Sequence, residues 1–553
     1  MRALLAALAV LALAGCSTLP TAGPVHTANP QIPAGYTVDV LAEGPVMDAS
    51  TQEIVEGFLR ASAYGFSDDF AVARQYLAPA VADEWNPATG VRIYSAAANP
   101  AFTRAADGGI RVTIDQVATL DSSGRYTEAV TAVTADFTLV RDRDGQWRIA
   151  VLADGLLISD LNFQQTFSWS PLYFLTDDAA SLVPDTRWYP FEGRAAAIVR
   201  GLLGGPSGWL EPAITTAFPN GTTLGTGGVS VQDGIAVVDL SAGALTAGQE
   251  ERSLMLTQLH ATLSSITEVR SVELTVSGQR VDAGEAAREL TLPTSVPSPV
   301  MISDGALARF NGREVVVVEG AEDLGELEPS HPAVPFEGVD APTVVLSGGD
   351  RLVTVPSPGI PPTVLYEGED LAPPSIDRHG WIWTSAAQNP GNLAVVTAGT
   401  AGTVSAPWLT GRTVEQLRVA ADGARIVVVS RVGEVVRIEL AAVLRDRTGT
   451  PIVLGEPIRI GEGFANVGDV SWVDQSTVAV LGSVLSEPAD RVHLVTIGGT
   501  STALPPVEDA VSLTANRNAR SVVVATADGR LYVRNGIGWR EAAQGVSDPG
   551  YSG

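Results

Sequence analysis

The chain has 553 residues, a formal net charge of −27, no lysine and one cysteine. Its length exceeds one core and sets a prior of three or four domains at roughly 150 residues each, while 45% hydrophobic and 18% charged residues exclude a disordered chain. The acidic balance argues against nucleic acid, whose affinity comes from cations displacing counterions, and a lone thiol excludes an internal disulfide framework or a thiolate zinc site.

Arg2 precedes an unbroken apolar run over residues 3–14. As a helix such a run reaches roughly 18 Å, short of the roughly 30 Å hydrocarbon core, so residues 1–15 read as a signal peptide. Leu13-Ala14-Gly15-Cys16 resembles the lipobox of bacterial lipoproteins. Small residues suit the cleavage site, and the sulfur takes the lipid. Cys16 is the expected attachment point for N-palmitoyl and S-diacylglycerol groups; the alternative is an ordinary signal peptide cut elsewhere. One acyl chain anchors marginally and two anchor stably. No later stretch has 18 consecutive apolar residues, so the lipid is the expected anchor at the extracytoplasmic face of the cell membrane. Residues 16–49 hold Pro20, Pro24, Pro30, Pro33 and Pro45 and read as a tether.

Residues 50–165 read as an α+β domain. Ser50 and Glu53 form a capping box, and the pairs Ile54/Phe58 and Val55/Leu59 share a helical stripe. A second helix is predicted over 70–77, then strands over 110–114, 129–140 and 147–152, with an Asp144-Gly145 hairpin turn. Residues 166–290 read as a second α+β domain. It has a helix over 194–203 stopped by Gly204-Gly205-Pro206, a hairpin over 229–240 turning at Asp233-Gly234, a helix through Met255, Leu259, Leu263 and Ile266, and a strand over 272–276.

Residues 299–553 show short β-branched runs and a weak repeat. "LRVAADGARIVVVS", "VSWVDQSTVAVLG" and "VSLTANRNARSVVVAT" each put a turn residue (Asp422, Asp474, Asn516) before a strand, and Asp377 in "SIDRHGWIWT" lies 45 residues earlier than Asp422. A period of roughly 40–50 is that of a β-propeller, here of five or six blades; a pair of β-sandwiches is the alternative.

In the first domain, "EWNPATGVRIY" between a helix pair and strands resembles the N-terminal domain of the actinobacterial LpqB lipoproteins, which is similar to NTF2-like cone folds. In the second, "PLYFLTDDAASLVPDTRWYP", "ITTAFPNGTTL" and the "DGIAVVDLS" hairpin resemble the GerMN domain of spore-germination and cell-envelope proteins. With the lipobox and the propeller-like region, the resemblance to LpqB covers nearly the whole chain. It implies two α+β domains (NTF2-like and GerMN-like) followed by an all-β propeller, and no enzyme. It also implies binding to the extracytoplasmic domain of an MtrB-like sensor histidine kinase, modulating a two-component system in envelope homeostasis and division. A cell-wall ligand, envelope glycan or peptidoglycan, is the alternative partner.

No catalytic, cofactor or metal site is expected. A P-loop needs a lysine. His26, His260, His331, His379 and His493 are scattered and read as surface or satisfied core. "GGPSGW" around Ser207 fails the nucleophile elbow, Asp142, Asp144 and Gly145 imitate only part of a calcium loop, and "GTTLGTGGVS" around Gly225 lacks the third glycine of a dinucleotide fingerprint. The pairs Asp68-Asp69 and Asp177-Asp178 read as turns or helix starts. Trp381 and Trp383 alternate onto one strand face, and core is favoured over a ligand surface; Trp188 and Tyr189 are read as core or an exposed patch.

Overall fold

The computed structural model describes residues 43–106, 108–284, 290, 292–397 and 399–553. Cys16, the signal peptide, His26 and most of the expected tether lie outside the described residues. Residues 43–553 form one compact unit. The last stretch of the expected tether belongs to it: the Tyr76 hydroxyl donates to the Glu43 carbonyl at 2.7 Å, and the Asp48 N–H to Gln146 at 2.7 Å.

Helix α1, Thr51–Ala63, starts where the capping box predicts: the Glu53 N–H donates to Ser50 Oγ and the Ser50 N–H to the Glu53 carboxylate. Its buried stripe of Ile54, Val55, Phe58 and Leu59 faces a six-stranded sheet. Phe58 meets Trp85 edge-on at 5.2 Å and Phe137 at 6.2 Å. The long strand Ile110–Asp121 alternates buried and less buried positions, as a sheet with one face on a helix must.

The helix predicted over 70–77 is only Ala71–Arg74. Phe70 sits at φ +60°, held against Phe66 and Trp85, and Leu77 pairs with Ile149 instead of continuing the helix. Here a tertiary contact overrides propensity.

In the second domain, Ile235–Leu240 and Ser271–Val276 run parallel inside a four-stranded sheet, bridged by helix α2, Gln249–Leu263. The helix ends at Leu263, so Ile266 reaches the core from the following turn rather than from the helix. The predicted hairpin turns at Asp233 (φ +52°) and Gly234 (φ +84°), and its first strand begins earlier, at Leu224. The glycines of "GTTLGTGGVS" let that strand cross Asp239: a Cβ on Gly225 would stand 2.3 Å from its carboxylate.

Six blades follow, five of four strands and one, blade 4, whose outer position is shared by Pro451–Leu454 and Ile458–Arg459. Their innermost strands are Val546–Gly550 (blade 1), Pro329–Ala333 (blade 2), Ser375–Ile376 (blade 3), Thr413–Val419 (blade 4), Phe464–Trp472 (blade 5) and Ala510–Asn516 (blade 6). Blades 3 and 4 also touch through one parallel bridge, Ser405 to Val453. An apolar core lies between each blade and the next, around to blade 1 again, which is a ring and not a pair of sandwiches. The ring closes when Val546–Gly550 pairs with Val300–Ser303. Asp377, Asp422 and Asp474 fall between the innermost and second strands of their blades, and Asn516 is the last residue of the innermost strand of blade 6, so the weak repeat marks real blades.

Candidate functional site at the propeller mouth and domain junction

Polar residues alternate along the innermost strands: Gln416 and Arg418 in blade 4, Asp469 and Ser471 in blade 5, Ser512 and Thr514 in blade 6. Alternation places each pair on one strand face. Much of this polarity stitches the ring. Asp469 accepts from the Leu513 N–H at 2.9 Å, Ser471 from Ala515 at 3.1 Å, Thr514 from Tyr551 at 3.1 Å and Ser375 from Val419 at 3.0 Å. Gln416 Nε2 donates to the Gly468 carbonyl at 2.9 Å.

What remains surrounds a cavity of about 380 Å³ at the mouth of the channel, within the roughly 300–1,000 Å³ common for small-molecule sites. Arg418 lies 3.5 Å from Asp469. Burial pushes Asp469 above the usual carboxylate range, opposed by the Arg418 guanidinium and the Leu513 N–H. Arg425 and Asp422 form a second ion pair at 2.5 Å, each side chain 1% exposed. Ser512 Oγ, Ser295 Oγ and His331 Nδ1, all on the wall, are buried without a hydrogen-bond partner, and so is Gln416 Oε1 on the same strand as Arg418. Residues 292–295 and 551–553 also line this mouth.

The mouth adjoins a crevice between domains. Trp169, Tyr173 and Trp188 of the second domain face Gln475, Thr496, Gly499 and Arg517 of the propeller across it, and Leu292, Asp474, Gln475 and Arg517 line both spaces. Nearby, the two domains are joined by Gln475 to the Leu182 carbonyl at 3.1 Å and by Arg378 to Asp178 at 2.6 Å. Asp178 is held down to about 2: burial raises it, but the Thr176 hydroxyl and Arg378 outweigh that.

Trp188 is the meeting point of all three domains. Its indole N–H donates to the Gly498 carbonyl of the propeller at 2.7 Å, its backbone N–H donates to the Gly124 carbonyl of the first domain at 2.7 Å, and its ring packs on Phe163 at 4.8 Å. It is therefore neither an exposed patch nor the core of one domain. Tyr189 packs against the core of the second domain.

Glu128 of the first domain accepts from the Glu462 N–H at 2.9 Å and the Ser501 hydroxyl at 3.4 Å. Burial raises its carboxyl above the ordinary value of 4.5, and the Glu462 charge adds to that. A carboxyl raised by folding favours the folded state at low pH and opposes it as pH rises through the folded value. Glu128→Gln keeps an acceptor without the charge. The variant is expected to unfold at a higher temperature than wild type at pH 7, with the two converging below pH 4.5; melting curves from pH 4 to 8 check this.

The remaining sequence candidates separate. His260 is exposed. His379 is buried enough, beside Arg445 and Arg378, to fall to about 4, and His493 packs edge-on to Phe464. Among the described histidines, His331 alone reaches the mouth. Ser207 is buried in a knot with Asp185 at 2.8 Å and Arg187 at 2.5 Å, with no histidine in it. Asp142 accepts from the Asp144 and Gln146 N–H groups, as a hairpin turn does, and Asp68 caps Val72. Trp383 is fully buried between blades 3 and 4, its indole N–H on Asp377. Among the described residues no cluster of His, Cys, Asp and Glu is placed to hold a metal ion, and no helix is long and apolar enough to cross a membrane.

Three family models match in chain order: the N-terminal domain of lipoprotein LpqB over residues 44–164, a sporulation and spore germination domain over 171–282, and the LpqB β-propeller domain over 305–552. The chain belongs to the LpqB lipoprotein family. It is 29% identical to lipoprotein LpqB of Cutibacterium acnes, covering 99% of this chain and 98% of that one. It is 26% identical to the LpqB of Thermobifida fusca over 99% and 98% of the two chains. Among solved structures, the first GerMN domain of the sporulation protein GerM from Bacillus subtilis is 22% identical over 21% of this chain and 86% of that one, with a TM-score of 0.18. The LpqB plan is thus an N-terminal α+β domain, a GerMN domain and a β-propeller, here welded at Trp188.

Proposed function

We propose that this LpqB-family lipoprotein is anchored through Cys16 at the extracytoplasmic face of the cell membrane, where it binds an MtrB-like sensor kinase and modulates its output without catalysing a reaction. The welded junction at Trp188 carries this reading. A modulator shifts a two-state partner only by binding one state better than the other. A body whose three domains are already fixed against one another loses little freedom on docking, so more of the contact energy reaches the partner. Confinement at one membrane adds an effective concentration of order mM for short tethers, so a modest contact suffices.

Kinase output should therefore differ between cells carrying wild type and cells carrying Cys16→Ala, and crosslinking in intact cells should join the kinase to the wild-type protein. Equal output with the variant released from the membrane would count against the proposal.

A further inference from the structure

We infer that the propeller mouth binds a neutral, polyhydroxylated ligand of the saccharide class, entering from the aromatic crevice beside it.

The buried charged side chains of the wall stand in pairs, and the exposed Arg517 lies on the wall shared with the crevice. Arg425 is paired with Asp422, Arg418 with Asp469, and Asp548 stands 3.6 Å from His331. An anion entering the cavity meets Asp422, Asp469, Asp474 and Asp548; a cation meets Arg418, Arg425 and Arg517. Either would have to displace a standing partner or tolerate a like charge.

The buried wall groups left without partners are neutral. Ser512 and Ser295 are 5% and 6% exposed, and their hydroxyls have no bond to the protein. His331 Nδ1 is likewise unmatched. A buried polar atom without a partner is costly, and natural proteins keep few. Hydroxyls both donate and accept, so a hydroxyl-rich ligand satisfies the serines and the imidazole together.

The neighbouring crevice supplies the other half of the chemistry. Trp169 and Tyr173 line it, and Trp169 Nε1 is itself buried and unpartnered. A pyranose has apolar C–H faces that lie against such rings and hydroxyl edges that reach such donors. The crevice and the mouth share Leu292, Asp474, Gln475 and Arg517, so one oligosaccharide spans both. The site does not depend on a kinase contact elsewhere on the molecule.

The test is titration of the full-length, detergent-solubilised lipoprotein with N,N′,N″-triacetylchitotriose and, separately, maltotriose, read by saturation-transfer NMR and tryptophan fluorescence. Saturable binding of at least one is expected, and the stronger one indicates the sugar type. Ser512→Ala and Ser295→Ala each remove a hydroxyl with no protein partner, so both variants should melt at or above the wild-type temperature. Each should weaken saccharide binding by about fivefold, the loss of one neutral hydrogen bond. No saturable response to either sugar, or unaltered affinity in both serine variants, overturns the inference and leaves a channel filled by water. Kinase output is not the readout, so this result stands apart from the proposed signalling role.

Discussion

Asp377→Ala is expected to lower the stability of the propeller by roughly 3–5 kcal/mol, as breaking a buried ion pair from one side does. Asp377 is fully buried and holds four donors: the His379 and Trp381 N–H groups on Oδ1, and the Trp383 indole and Arg445 guanidinium on Oδ2. The first two shape the turn between the innermost and second strands of blade 3. The last reaches across from blade 4, whose Arg445 is 11% exposed and lies over the Trp383 ring. Alanine would leave the indole N–H without an acceptor and the guanidinium without its counter-charge, with only the Gly423 and Gly449 carbonyls to accept from it, in a low-dielectric seam. Asp377→Asn keeps the shape and an acceptor, and should cost less than half as much. Urea unfolding followed by tryptophan fluorescence measures both. Equal midpoints for wild type and the alanine variant would refute this account of the seam.

Trp188→Ala is expected to cost about 3 kcal/mol, the lower end for a large aromatic cut to a methyl, because the ring is half-buried rather than enclosed. Its more telling effect is on cooperativity. The indole touches Phe163 of the first domain and Gly498 of the propeller. Without it, the first domain keeps Glu128 on the Glu462 N–H but loses its aromatic seat. Calorimetry of wild type should show the three domains melting together, and the variant should show a separate, lower transition. Hydrogen exchange should rise along Tyr126–Arg141, the strand that carries Glu128. A single unshifted transition would mean that the domains are held by other contacts.

Features written within a few residues were legible in the sequence. The Ser50 and Glu53 capping box, the Asp144-Gly145 and Asp233-Gly234 turns, and the turn residues before the second strands of blades 3 to 6 all depend on local chemistry. The short second helix was misread because Phe70 takes its conformation from Phe66 and Trp85, not from its neighbours in sequence. The six blades were legible only as a period, because ring closure depends on pairing Val300 with Gly550. The sequence offers a propeller mouth as a ligand surface but not the residues that line it, although the signal is present: Gln416/Arg418, Asp469/Ser471 and Ser512/Thr514 are polar pairs two apart where apolar strands should follow. For Trp188 the sequence leaves core and surface both open. A strand sequence does not say which neighbouring domain will cover it.

The closure strand has a consequence for biosynthesis. Blade 1 needs Val546–Gly550 to complete it, so its Val300–Ser303 strand waits with an unpaired edge until the chain has been made through residue 550. Pairings so distant in sequence form slowly, and an open strand edge is a template for another chain. The two preceding domains, built from nearer contacts, are free to fold while the propeller is still arriving. The ring is therefore the last part of the molecule to mature and the part most exposed to aggregation during synthesis, and chaperone dependence should concentrate there.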